Sequence, residues 1–126
     1  MADTTAQALA VALGAAIGAL ARWRIGVAMA AVASPFPLGT LIVNAVGGFA
    51  IGVAMVLLAR SSITHLFVVT GVLGGFTTFS AFSAESLVLV QRGQWPMALL
   101  HSLAHVIGAL VCTGLGFTAA RALVRT

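Results

Sequence analysis

The chain has 126 residues, of which 61% are hydrophobic and only 6% charged, and its mean hydropathy is +1.17. Soluble domains carry roughly 25% charged residues, so this composition cannot cover a water-facing surface and excludes a soluble globular domain; the solvent for most of the chain is lipid. The formal charge of +4 comes from six scattered arginines with no lysine, the pattern of flanking charges at a membrane interface and not of a nucleic-acid surface.

A bilayer tolerates only backbones that satisfy their own hydrogen bonds, which leaves helices or a closed barrel. Barrel strands alternate polar and apolar residues; the long unbroken apolar runs here specify helices. The first is expected over residues 5–31, apolar up to Leu20 and then carrying Arg22, Trp23 and Arg24. Asp3 precedes it with no basic segment, which argues against a cleaved signal peptide. Ser34-Pro35-Phe36-Pro37 is a breaker. The second helix, residues 38–59 before Arg60, is about 33 Å long at 1.5 Å per residue, enough to span. A turn over 61–64 leads to a third helix over 65–91, and Arg92-Gly93-Gln94 turns into a fourth over 95–123, with Pro96 suited to its first turn. The loops are too short for an extramembrane domain, so residues 1–126 read as one four-helix transmembrane domain without tandem repeats.

Gly14 and Gly18, Gly48 and Gly52, and Gly71 and Gly75 are each four apart, a spacing that lets helix backbones approach closely. Helix three is the odd one. Gly71, Gly74, Gly75, Thr77, Thr78, Ser80 and Ser83 crowd membrane depth; glycine disfavours helix interiors, and Ser and Thr compete for backbone bonds. A break is expected at Gly74-Gly75, the alternative being a kinked packing helix.

With four spans the termini share one side, together with Arg60, Arg121 and Arg125, while Arg22, Arg24 and Arg92 lie on the other. Three against three gives no preferred orientation. The expectation is dual topology and head-to-tail pairing.

The sequence holds no catalytic constellation: its carboxylates are Asp3 and Glu85, and no nucleophile triad, phosphate loop or zinc-hydrolase motif occurs. Cys112 stands alone, so it reads as a packing residue and no intrachain disulfide is possible. Function is then transport or a structural role. Glu85, near the end of helix three, is costly in lipid and needs a partner; Arg22 is the expected one, as an ion pair. Asn44 is read either as glue between helices or as an N–H donor to a passing anion. Phe79 and Phe82 share a helical face, flanked by Thr77, Thr78, Ser80 and Ser83; their ring edges carry partial positive charge that suits an anion. His101 and His105, four apart in helix four with Ala109 a turn further, form a stripe for interhelical bonding or for a pore lining, and two histidines without a third ligand do not make a metal site.

The run Gly74-Gly75-Phe76-Thr77-Thr78-Phe79-Ser80-Ala81-Phe82-Ser83 closely resembles the GGxTTFSTF signature of the Fluc (CrcB) fluoride channels, and the likeness continues through Gly39 to Asn44, Gly14 to Arg22-Trp23, and Glu85. The resemblance implies an all-α membrane protein in the cell (inner or plasma) membrane, built as an antiparallel, dual-topology homodimer. Its function would be passive fluoride export that relieves fluoride toxicity. By this likeness Phe79 and Phe82 would be the pore phenylalanines, with Asn44, Thr78, Ser80, His101 and His105 beside them. Arg22 would sit in the aqueous vestibule. Gly74 and Thr77 would offer backbone carbonyls to a structural sodium ion, a hard cation suited to oxygen. Ala81 and Ala109 replace hydroxyl residues of the family pattern. A small multidrug-type proton antiporter, which resembles a similar scaffold but needs a carboxylate in the middle of helix one, and a non-conducting assembly subunit are the competing readings.

Overall fold

The fold is described from a computed structural model over residues 3–125. Among these residues four helices are long and apolar enough to cross a membrane. Helix one, Thr4–Ala30, is capped by the Asp3 carboxylate, which accepts the Thr5 N–H at 3.0 Å. Helix two, Leu38–Leu57, starts after Pro37 and stops two residues short of the expected end at 59, where Leu58 turns extended. Helix four, Trp95–Val124, follows a turn in which Gly93 adopts a φ of 73°, a left-handed conformation that glycine takes at no steric cost.

Helix three, Ile63–Gln91, is irregular throughout its first half. The Ser62 hydroxyl caps it by accepting the His65 N–H. Residues Leu66–Leu73 are wound as a π-helix and Gly74–Phe76 form a single α turn. Thr77 (ψ 156°) and Thr78 (φ −152°) are then extended, and Phe79–Gln91 resumes as α-helix. The expected interruption exists, but it falls at Thr77-Thr78 and not at Gly74-Gly75. Gly75 serves packing, since a Cβ on it would run into the Ala15 backbone, whereas Gly74 is exposed. The threonines supply what an interrupted backbone needs. The Thr77 hydroxyl donates to the Leu73 carbonyl at 2.9 Å, and the Thr78 hydroxyl accepts the Ala81 N–H at 3.2 Å.

Helix one packs on the first half of helix three, and helix two packs on helix four. Both contacts run along the glycine faces. A Cβ on Gly18 would overlap the Val72 carbonyl, and one on Gly52 the Thr113 carbonyl, the close backbone approach that small residues permit in lipid. What is buried is mostly small, such as Ala54, Ala98 and Ala120. The large apolar side chains of Leu13, Leu20 and Leu110 point outward and are more than half exposed, as a lipid solvent favours. The chain is a multi-pass membrane protein.

Candidate functional site

The break in helix three is held by helix two. Asn44 Nδ2 donates to the Thr78 carbonyl and Asn44 Oδ1 accepts the Thr78 N–H, both at 2.9 Å. One amide side chain therefore replaces two missing helical bonds, and one Nδ2 hydrogen stays unspent. The Gly75 carbonyl accepts from Arg22 Nε at 3.1 Å. Two more carbonyls lose their helical donors. The Thr78 N–H that would reach Gly74 goes to Asn44, and the Ala81 N–H that would reach Thr77 goes to the Thr78 hydroxyl.

Beside the break lies an open groove of about 510 Å³ whose lining includes Asn44, Gly74, Thr77, Thr78, Phe79, Phe82, His105, Ala109 and Thr113. Most of the expected site residues thus come together on one surface. The Phe79 and Phe82 rings meet edge to face at 5.2 Å and 71°. Phe82 is 8% exposed and Phe79 is 75% exposed, so one ring is anchored in the chain and the other stands open. The lining carries no carboxylate and no arginine; its polar groups are an amide, hydroxyls, carbonyls and one imidazole. Ser80 sits outside this lining, exposed, with its hydroxyl 3.2 Å from that of Thr78. Arg22 lies across the break, in a separate groove with Trp23, Thr40, Thr78 and Ala81.

The expected Arg22–Glu85 ion pair does not form within the chain. Arg22 is spent on the Gly75 carbonyl, and Glu85 faces helices two and four, where Thr40 donates its hydroxyl to Glu85 Oε1. Glu85 Oε2 lies 3.3 Å from His101 Nε2. The expectation that the two histidines lack a third ligand is also corrected: Glu85, His101 and His105 each bring a ligand atom within 4.8 Å of the others, so the cluster could hold a metal ion. Both histidines are buried, at 0% and 4% exposed. The stripe divides between roles. His105 lines the groove and stacks on Phe82, with ring centroids 4.6 Å apart, while His101 turns away to Ser86 at 2.9 Å.

Sequence reasoning passed over Thr40, Ser86 and Thr113. Two of them had a signal. Thr40 is one turn before Asn44, and Thr113 one turn after Ala109, so each extends a stripe already noticed. Ser86 had none, because its partner is on another helix.

The chain matches the family model described as CrcB-like protein, Camphor Resistance (CrcB), over residues 9–117. A relative from Acinetobacter baumannii named fluoride-specific ion channel FluC is 46% identical over 114 residues, covering 88% of this chain and 90% of that protein. A relative of the same name from Marinobacter nauticus is 47% identical over 113 residues, covering 86% and 90%. Another, from Aromatoleum aromaticum, is 44% identical, covering 88% of each chain.

Proposed function

Because the chain belongs to the CrcB-like family, we propose that it is a fluoride-selective channel, a conduit and not an enzyme, with the groove along Phe79 and Phe82 as half of its pore. The observation that carries this reading is the chemistry of that groove. Fluoride is small and strongly hydrated, so a pore must replace its water, yet conduction needs binding weak enough to release the ion. Ring edges, an unspent amide hydrogen and the Thr78 hydroxyl offer distributed, moderate stabilisation, and no fixed positive charge traps the anion; the Thr77 and Thr113 hydroxyl protons are spent on the Leu73 and Ala109 carbonyls. Arg22, across the break, is suited to raising the local anion concentration from its own groove.

The half-pore is completed by a second copy in antiparallel orientation. Phe79 lines the groove yet is 75% exposed, and the balanced arginines allow both insertions. The Gly74 and Thr77 carbonyls, freed of their helical donors, are hard oxygen ligands of the kind a sodium ion takes. Gly74 and Thr77 from both copies would hold it, bridging the two breaks.

The test is efflux from loaded liposomes. The wild-type protein releases fluoride and retains chloride. Phe82→Ile abolishes that release while the dimer persists in gel filtration, and Phe117→Ile leaves it intact. Equal release of the two halides, or full activity in both Phe79→Ile and Phe82→Ile, overturns the assignment.

A further inference from the structure

The buried Glu85–His101–His105 cluster contains a polar mismatch. Glu85 Oε2, His101 Nε2 and His105 Nε2 are all buried and all lack a hydrogen-bond partner. The 3.3 Å approach of Glu85 Oε2 to His101 Nε2 is therefore a contact without a directed hydrogen bond. Unpaired polar atoms at membrane depth are costly.

The surrounding bonds orient these atoms. His105 Nδ1 lies 3.0 Å from the His101 carbonyl, which can only accept, so the neutral ring carries its proton on Nδ1 and a lone pair on Nε2. A hydroxyl relay does the same for His101. Ser102 donates to the Ala98 carbonyl at 2.9 Å, which leaves its oxygen to accept from Ser86 at 3.4 Å. The Ser86 oxygen then accepts from His101 Nδ1 at 2.9 Å. Thr40 occupies Glu85 Oε1 and leaves Oε2 facing the imidazoles. Each ligand atom thus has its other side fixed by a hydrogen bond, the outer-shell arrangement of metal-binding histidines and carboxylates.

We propose that Glu85 Oε2, His101 Nε2 and His105 Nε2 form a binding site for a divalent transition-metal cation of the zinc class, and that its occupancy arrests ion passage along Phe82. Two imidazoles and one carboxylate are the donor set of zinc-class ions, whereas sodium, magnesium and calcium take oxygen alone. Metal–ligand bonds of about 2.0–2.2 Å place tetrahedral ligands roughly 3.4 Å apart, so atoms now up to 4.8 Å apart must draw together. The rings that move are those packed on Phe82: its centroid is 4.6 Å from His105 and 5.6 Å from His101. Glu85 is 28% exposed and lines grooves with Ser34 and Pro37, which gives the cation a route in that bypasses the Phe groove. The arrest, though not the binding, rests on the channel reading.

Cobalt(II) is the probe, added to tag-free Cys112→Ala protein in detergent, which removes the chain's one thiol. The expected result is one cobalt per chain with the intense visible bands of tetrahedral coordination, displaced by zinc. Glu85→Gln and His105→Gln each weaken binding at least as much as Thr40→Val, for which loss of an outer-shell bond predicts about 10- to 100-fold. Absence of these bands in the folded Cys112→Ala dimer, or unchanged affinity in both ligand variants, overturns the site. In liposomes zinc slows fluoride release by the wild type, and Thr40→Val, whose hydroxyl orients Glu85 from outside the Phe groove, shifts that inhibition to about 10- to 100-fold higher zinc; full release at saturating zinc overturns the arrest. Liposomes that release no fluoride even without metal defeat the channel reading, and the arrest with it, while the cobalt spectrum still decides the site.

Discussion

Replacing Asn44 by Leu keeps the volume of the side chain and removes both hydrogen bonds that hold the Thr78 peptide at the break. Interhelical polar contacts in membrane proteins average about 0.6 kcal/mol and reach about 1.7. Two of them make about 1.2 kcal/mol the expected loss and about 3.4 the ceiling. The structure favours a value above the mean, because Thr78 is extended and has no helical alternative for its N–H. Even the mean loss shifts the folding equilibrium about seven-fold. Asn44→Asp separates the two bonds: its carboxylate still accepts the Thr78 N–H but repels the Thr78 carbonyl. Unfolding in mixed micelles should therefore rank wild type above Asn44→Asp above Asn44→Leu. Fluoride efflux per folded dimer should rank differently, lowest for Asn44→Asp, which sets a negative charge in the groove. Wild-type stability in Asn44→Leu would refute the bracing role, and unimpaired fluoride release in Asn44→Asp would refute its place beside the ion.

Further outcomes follow from packing, charge and the break. Gly18→Ala should destabilise the chain by about 1–3 kcal/mol, the cost of overpacking, since its Cβ meets the Val72 carbonyl, whereas Gly114→Ala meets nothing and should be tolerated; thermal unfolding in detergent distinguishes them. A tag on either terminus should be accessible from both sides of the native membrane, and a single orientation would defeat the antiparallel dimer. Exchanging sodium for a large organic cation should lower the melting temperature of the dimer, an effect absent if the Gly74 and Thr77 carbonyls need no cation.

The amino-acid sequence by itself determined the solvent, the number of spans and the packing faces. Sparse charge and unbroken apolar runs leave no fold but membrane helices, and Gly14/Gly18 and Gly48/Gly52 sit at the contacts their spacing predicts. It also marked the irregular helix, because glycine and hydroxyl residues at membrane depth disagree with local propensity. The tertiary structure decided where that irregularity falls and what it serves. Gly74 and Gly75 weaken a helix in isolation, but here Gly75 is pinned against Ala15, and the chain opens at Thr77-Thr78, where Asn44 of another helix supplies the lost bonds. The partner of Glu85 was equally hidden. Counting charges favours Arg22, yet the geometry gives Arg22 to a carbonyl and Glu85 to Thr40 and His101. Side chains from separate helices meet according to crossing and rotation, which a one-dimensional pattern of polarity does not encode.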